Sequence, residues 1–211
     1  MAIKMKKIIV TTILSFFALL IAGGCAGPNP NIGERTTDMG WMSGQYKGAI
    51  ETARPHAESG EPWAQLRLGI MYENGWGVEK SIPKAVEWYQ KTALQKASGG
   101  WAEGKMIGAI GPVGYFNQNS DARIAQYNLA NIYLKGIGIE KNLEQAYLNI
   151  RTVIDETKGY AIFFCCEFAG GRSFSPQQFS ETYSEVLKEM SEEQKKKAEE
   201  LYLQSRKPVE K

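Results

Sequence analysis

The chain has 211 residues, of which 43% are hydrophobic and 23% charged, and its formal net charge is +2. Lys4, Lys6 and Lys7 lie in an N-terminal segment that is expected to be removed, which leaves 22 basic and 23 acidic residues and a net charge near −1. This balance leaves no basic surplus that would favour nucleic-acid binding. The length is sufficient for one domain with a hydrophobic core.

Residues 1–24 have the pattern of a secretory signal peptide: a basic start, an apolar run from Ile8 to Ala22, and small residues up to Cys25. The run is too short for a permanent membrane span. The ending IAGGC resembles a bacterial lipobox, although Ala22 stands where Leu is more usual. The resemblance implies that Cys25 is lipidated and, since Ala26 follows instead of Asp, that the protein is attached to the periplasmic side of the outer membrane. A plain cleaved signal or an N-terminal membrane helix is the alternative.

Residues 25–42 are rich in Pro, Gly and Asn, and this composition predicts a flexible tether between the lipid and the folded domain. Cys165 and Cys166 are the two other cysteines. Since adjacent cysteines close only a strained small ring, the sequence favours two apolar thiols in a helix, with a vicinal disulfide as the alternative.

Two segments repeat each other at an offset of 61 residues, so that GIMYENGWGVEK at residues 69–80 corresponds to ANIYLKGIGIEK at residues 130–141. Each segment starts with an amphipathic stretch of helical period. Gly75 and Gly136 are predicted to end the first helix of each unit in the left-handed conformation. Ser81 and Asn142 are predicted to cap the second helix. The predicted unit is a helix, a glycine turn and a second helix.

This pattern resembles the Sel-like repeats, which are relatives of tetratricopeptide repeats. The first unit carries the signature at Leu68, Gly69, Tyr72, Gly75, Gly77, Ala85 and Trp88, and the second carries it at Leu129, Tyr133, Gly136, Gly138 and Ala146. The second unit has Asn149-Ile150 in place of the Trp-Tyr pair. The resemblance implies an all-α fold, a right-handed solenoid of αα-hairpins with about seven or eight helices, over residues 43–206.

Three further segments are expected to complete the solenoid. The stretch from Gly44 is predicted to form the closing helix of a preceding unit. Residues 160–187 are predicted to form a third, degraded unit with its turn at Gly170-Gly171. Residues 191–205 are predicted to form a polar capping helix that opens with a capping box from Ser191 to Gln194.

The offset exceeds the period of such repeats by about 25 residues, so the sequence predicts a glycine-rich insert at residues 97–120. Long apolar loops are often functional, and Trp101, Tyr115 and Phe116, together with Trp41, are the predicted partner-binding residues. The alternative is that these aromatic side chains fold back as local core. Gly99 to Lys105 resembles the start of a phosphate-binding loop, but Met106 replaces the Ser or Thr that would bind magnesium.

The sequence predicts neither catalysis nor a metal or cofactor site, because it has one histidine, His56, and no nucleophile elbow or metal-binding histidine pair. A small Sel-like repeat lipoprotein is similar to the periplasmic immunity proteins of type VI secreted lipase effectors. The resemblance implies that this chain, monomeric when free, binds such a toxin and blocks its active site. The alternative is an adaptor lipoprotein of the cell envelope that has no toxin partner.

Overall fold

The computed structural model describes residues 32–95, 120–159, 162–163 and 173–207. These residues form eight helices and one short pair of strands. The helices are α1 (Ile32–Met42), α2 (Tyr46–Glu58), α3 (Pro62–Asn74), α4 (Ile82–Ala93), α5 (Ser120–Lys135), α6 (Leu143–Thr157), α7 (Pro176–Glu189) and α8 (Glu192–Ser205). The strands are β1 (Ile162–Phe163) and β2 (Ser173–Phe174). Within these ranges, no helix is both long and apolar enough to cross a membrane.

The helices stack as an αα-hairpin solenoid, which confirms the predicted fold class. Each helix from α1 to α6 packs on the helix that follows it, and α8 returns to pack on α6. The first helices of successive units also touch, because α3 contacts α5 and α5 contacts α7. One hydrophobic core runs from α3 to α8, and a second, smaller cluster fills the space between α2 and α3.

The glycine turns have the predicted geometry in both repeats. Gly75 and Gly136 have φ angles of 75° and 64°, in the left-handed region that glycine adopts without steric cost. The side chains of Ser81 and Asn142 accept hydrogen bonds from backbone amides in the first turns of α4 and α6. These caps satisfy amide groups that have no partner within the helix.

The second glycine of each turn lies against the preceding unit. A Cβ atom on Gly77 would lie 2.6 Å from the carbonyl oxygen of Tyr46, the first residue of α2. A Cβ atom on Gly138 would lie 2.7 Å from the side chain of Ile82, the first residue of α4. Both distances are too short for a real Cβ, so only glycine permits this approach between units. The equivalence of the two contacts identifies α1 and α2 as a further unit of the solenoid.

The prediction of a flexible tether is wrong for residues 32–42, which form helix α1. Gly33 and Gly40 lie one heptad apart on the face of α1 that meets α2. A Cβ on Gly33 would overlap the ring of His56, and a Cβ on Gly40 would lie 3.2 Å from Cβ of Ala49. These glycines therefore permit close helix packing instead of chain flexibility. Residues 25–31 lie outside the described ranges.

The degraded third unit also differs from its prediction, because Ile162 and Phe163 are extended. They pair in antiparallel register with Phe174 and Ser173, respectively. The side chain of Phe174 makes an edge contact with Tyr127 on α5, with ring centroids 5.1 Å apart, so this ladder packs on the core. The predicted turn at Gly170-Gly171 and the two adjacent cysteines lie outside the described residues.

The final two helices begin as predicted. Ser175 and Ser191 each form a capping box with the Gln three residues later. Helix α8 contributes two buried side chains, Ala198 and Tyr202, and its other residues are polar except Leu201 and Leu203. The hydroxyl of Tyr202 donates to Asp155 on α6 over 2.7 Å, which fixes α8 to the stack.

We expect Gly138→Ala to lower the free energy of unfolding by about 2–4 kcal/mol, because it combines a left-handed alanine with an overlap on Ile82. Gly159→Ala is the matched control: its φ is 81°, but an added Cβ would meet nothing within 4 Å. The control should lose only the free energy of unfolding that a left-handed alanine costs, about 1–2 kcal/mol. Urea unfolding followed by circular dichroism measures both values. Equal losses would contradict a packing role for Gly138.

Candidate protein-interaction surface

The helix stack has two distinct ends. The turn end carries Gly44, Gly75 and Gly136, where each first helix turns into its partner. The connection end carries the links from one unit to the next. The chain leaves α4 and enters α5 at this end, and Gln126 Nε2 lies 3.5 Å from the carbonyl oxygen of Ala93. The described residues that flank the predicted insert therefore lie at the same end of the helix stack.

The structure separates Trp41 from the points where the insert is attached. Trp41 lies at the turn end and meets Trp76 edge to face, with ring centroids 5.3 Å apart. Trp76 in turn stacks on Tyr46 at 5.3 Å and an interplanar angle of 12°. Helix α3 has 13 residues, so the two ends are about 20 Å apart.

The other predicted partner-binding residues, Trp101, Tyr115 and Phe116, lie outside the described residues, as does the predicted lipidation site Cys25. The three aromatic rings at the turn end are all partly exposed. Trp41 therefore belongs to a small aromatic surface formed by two neighbouring units, and its role in partner binding stays a prediction.

A buried ion-pair cluster joins α1 to α3 near the connection end. The side chain of Arg67 is only 1% exposed. Its Nε atom donates to Asp38 Oδ1 over 2.5 Å, and Nη2 donates to Asp38 Oδ2 over 2.8 Å and to Glu34 Oε1 over 3.1 Å. The Nη1 atom donates to the carbonyl oxygen of Trp63 over 3.1 Å. This bidentate salt bridge between Arg67 and Asp38 holds α1 in one orientation about its helix axis.

The carboxylates of this cluster outnumber the guanidinium, because Asp121 in the first turn of α5 adds a third acid. Burial raises the pKa of Asp121, and the charge of Asp38 raises it further, although Arg67 acts in the opposite direction. Burial likewise raises the pKa of Glu34. For Arg67, burial alone would lower the pKa, but the hydrogen bond and charge of Asp38 outweigh it and raise the pKa.

The sequence does not predict this ion-pair cluster, although it contains one sign of a buried charge. Arg67 is a single charge inside the stretch AQLRLGIMY, where its neighbours Leu66 and Leu68 are both fully buried. A charge at such a position needs a buried partner. Nothing in the sequence indicates that the partner is Asp38, which is 29 residues away.

His56 lies in a second polar group at the connection end. Its Nδ1 atom is 2.7 Å from Glu61 Oε1, and the other carboxylate oxygen of Glu61 accepts a hydrogen bond from Trp63 Nε1 over 2.5 Å. The imidazole is partly buried, with its side chain 29% exposed, and packs beside the Trp63 ring. In the part of the chain that the structure describes, no group of three or more His, Cys, Asp or Glu residues could hold a metal ion.

Comparisons with known proteins agree with this architecture. The family model of the Sel1 repeat matches residues 64–96 and 123–148. The chain therefore contains two segments that match the Sel1 repeat. The two matched regions contain the glycine turns, most of α3 and α5, all of α4 and the first part of α6. A search of curated proteins finds no significant match.

Two solved structures are similar to this chain. The first is c5321, a protective antigen present in uropathogenic Escherichia coli strains displaying an SLR fold, with a TM-score of 0.52 and 23% identity over 76% of this chain and 25% of that one. The second is a Sel1 repeat protein from Oxalobacter formigenes, with a TM-score of 0.45 and 18% identity over 84% of this chain and 65% of that one. The chain therefore spans about a quarter of the length of the first protein. The similarity to c5321 supports the fold of this chain and no statement about its function.

The signature residues of the Sel1 repeat are structural in this chain. Leu68, Ala85 and Ala146 have no exposed surface. Gly69 faces Tyr89, whose ring would lie 2.4 Å from an added Cβ. Sel1 repeats mediate protein–protein interactions, and in this chain the contacts with a partner must come from residues outside the buried signature.

Arg67→Met should lower the free energy of unfolding by about 3–5 kcal/mol, because it leaves Asp38 and Glu34 without the buried cation that they surround. Lys47→Met at the exposed surface of α2 is the control and should change stability by no more than about 0.5 kcal/mol. Chemical unfolding of both variants at neutral pH provides the comparison. A loss below 1 kcal/mol for Arg67→Met would show that the cluster does not hold α1 in place.

Asp121→Asn should raise the stability at neutral pH. The raised pKa means that the native protein binds a proton at higher pH than the unfolded chain, so ionised Asp121 disfavours the native state. This penalty is absent below the ordinary pKa of 3.8, where both states are protonated, and it appears as the pH rises through the native pKa. The gain from Asp121→Asn should therefore be present at pH 7 and vanish near pH 3.5. Unfolding curves at both pH values, with exposed Glu58→Gln as control, test the sign.

Proposed function

We propose that this chain is a lipid-anchored immunity protein of the periplasm, which binds a type VI secreted lipase effector and blocks its active site. The observation that carries the proposal is the frame around the insert. The helix stack holds the residues on both sides of a glycine- and aromatic-rich segment, residues 97–120, at the connection end. A loop presented in this way is suited to enter a cleft in another protein.

The mechanism would be occlusion of the lipase cleft. Trp101, Tyr115 and Phe116 would supply aromatic anchors, and the polar residues around them would form the rim of the interface. An interface of standard size buries about 800 Å² per partner and is about 30 Å across. This span exceeds the roughly 20 Å between the two ends of the stack. Trp41 at the turn end can therefore contact the same partner as the insert.

The sequence before the domain supports a location in the periplasm. The signal-like residues 1–24 end at Cys25, whose surroundings resemble a lipobox. Attachment through a lipid on Cys25 would keep the inhibitor at the membrane that a lipase attacks. An envelope adaptor would share this address and this fold, and it would differ in having no toxin partner.

Deletion of the gene should make a strain sensitive to secretion-competent siblings, because the lipase that they deliver would no longer be blocked in its periplasm. The measurement is survival of the deletion strain in contact with the parent and with a parent that lacks the secretion apparatus. Complementation with the intact gene should restore survival. Unharmed survival of the deletion strain in contact with the competent parent would support the adaptor function and contradict the immunity function.

Trp101→Ala combined with Phe116→Ala should weaken the binding of the effector at least tenfold, because interface anchors typically contribute more than about 1.4 kcal/mol. Melting of the free protein should stay unchanged. Leu203→Ala is the control: this exposed residue lies on α8, in the last unit of the stack. Calorimetric measurement of binding and thermal unfolding of the same samples show whether the aromatic residues of the insert bind the partner or form local core. A loss of stability that matches the loss of binding would show that the aromatic residues are local core.

A further inference from the structure

Helix α1 has an inverted distribution of polar and apolar residues. Its face toward the domain carries Glu34, Thr37, Asp38 and Trp41, of which Thr37 and Asp38 are buried. Its opposite face carries Ile32 and Met39, which are 81% and 68% exposed. A helix on the surface of a globular domain normally has the reverse arrangement. The two buried-side carboxylates of α1, Glu34 and Asp38, thus lie against the protein, whereas Ile32 and Met39 face outward.

The outward side chains form one continuous stripe. Residues 32, 35, 39 and 42 follow the spacing of three and four that brings side chains to one face of a helix. Three of them are apolar, since Met42 is also exposed, at 46%. The fourth is Arg35, which is exposed between Ile32 and Met39. An apolar stripe with one cation matches the boundary between lipid acyl chains and phosphate head groups.

The stripe cannot turn inward without breaking buried contacts. The guanidinium of Arg67 donates two hydrogen bonds to the carboxylate of Asp38, at 2.5 and 2.8 Å. On the adjacent side, Gly33 and Gly40 allow α1 to approach α2 so closely that no larger side chain would fit at Gly33. The orientation of α1 is therefore set by the domain, and the exposed stripe is a fixed feature of its surface.

We propose that the outward stripe of α1 lies in the surface of the phospholipid bilayer, beside the lipid on Cys25. This inference rests on the lipid anchor of the proposed function. Seven peptide steps separate Cys25 from Ile32, so Ile32 lies within about 25 Å of an anchored Cys25 even if the chain is fully extended. The side chains of Ile32, Met39 and Met42 enter the acyl boundary, and Arg35 pairs with lipid phosphate.

This arrangement orients the whole solenoid. Because α1 lies along the membrane, its connection end and its turn end are at similar depth. Helix α2 and the Arg67 side chain of α3 pack on the inward face of α1, and the later helices continue the stack from α3, on the side away from the bilayer. The anchor alone would leave the domain free to rotate, whereas a second contact through the stripe fixes which surfaces face the periplasm.

The test uses the mature chain from residue 25 with Cys25→Ser, which carries no lipid, and vesicles of phosphatidylethanolamine and phosphatidylglycerol. We expect weak binding to these vesicles in flotation assays. Ile32→Ser with Met39→Ser should reduce the partition coefficient at least tenfold, and Arg35→Gln should reduce it severalfold. Leu94→Ser is the matched control, since Leu94 is 83% exposed but not on α1, and it should have no effect. Melting of each variant should match the parent protein.

Vesicle binding that is unchanged by Ile32→Ser with Met39→Ser would overturn the inference, as would no binding at all by the parent chain. If the same double variant instead lost binding to a lipase effector while vesicle partition stayed constant, the stripe would be a protein-binding surface. The anchor is tested separately by mass spectrometry of the chain isolated from membranes. Absence of lipid on Cys25 would contradict the anchor of the proposed function, whereas the vesicle result reports on α1 alone.

Discussion

The solenoid depends on the close approach between each glycine turn and the start of the second helix in the preceding unit. Gly77 meets the backbone of Tyr46, and Gly138 meets the side chain of Ile82, at distances that exclude any Cβ atom. A helical hairpin of this size cannot bury its apolar face alone, so it gains stability only by stacking on its neighbours. The second glycine of the turn thus sets the spacing between units, and that spacing decides which side chains interdigitate in the core.

The first helix of the first unit, α1, is held by interactions of a different kind. Helix α1 packs on α2 through Gly33 and Gly40, and it is held to α3 by the buried charge of Arg67. Burying this ion pair costs desolvation energy that the attraction between the charges only partly returns. What the pair contributes is a single rotational setting of α1, because Asp38 can satisfy the guanidinium in one orientation only. Among the described helices α1 packs closely on α2 alone, so this additional contact with α3 fixes its orientation.

The repeats could be predicted from the sequence because their signals are local. Each left-handed glycine, each cap and each apolar spacing of three and four lies within one unit, and the same signals recur 61 residues later. The sequence does not predict helix α1, because its glycines also fit the composition of a flexible tether. The pattern Trp41-x-x-Gly44 does match Tyr72-x-x-Gly75, and both glycines are left-handed. That correspondence is the local signal from which the extra unit could have been found.

Nonlocal features of the site could not be predicted in this way. The partnership of Arg67 with Asp38 depends on how two units stack, and the pairing of β1 with β2 depends on a core formed by α5 and α7. The same stacking places Trp41 at the turn end, about 20 Å from the attachment of the insert. A partner that touches both must lie along the helices of the first units, parallel to α3. Such a partner would approach from a side left open by the units that follow, so the order of units along the solenoid also limits where the partner binds.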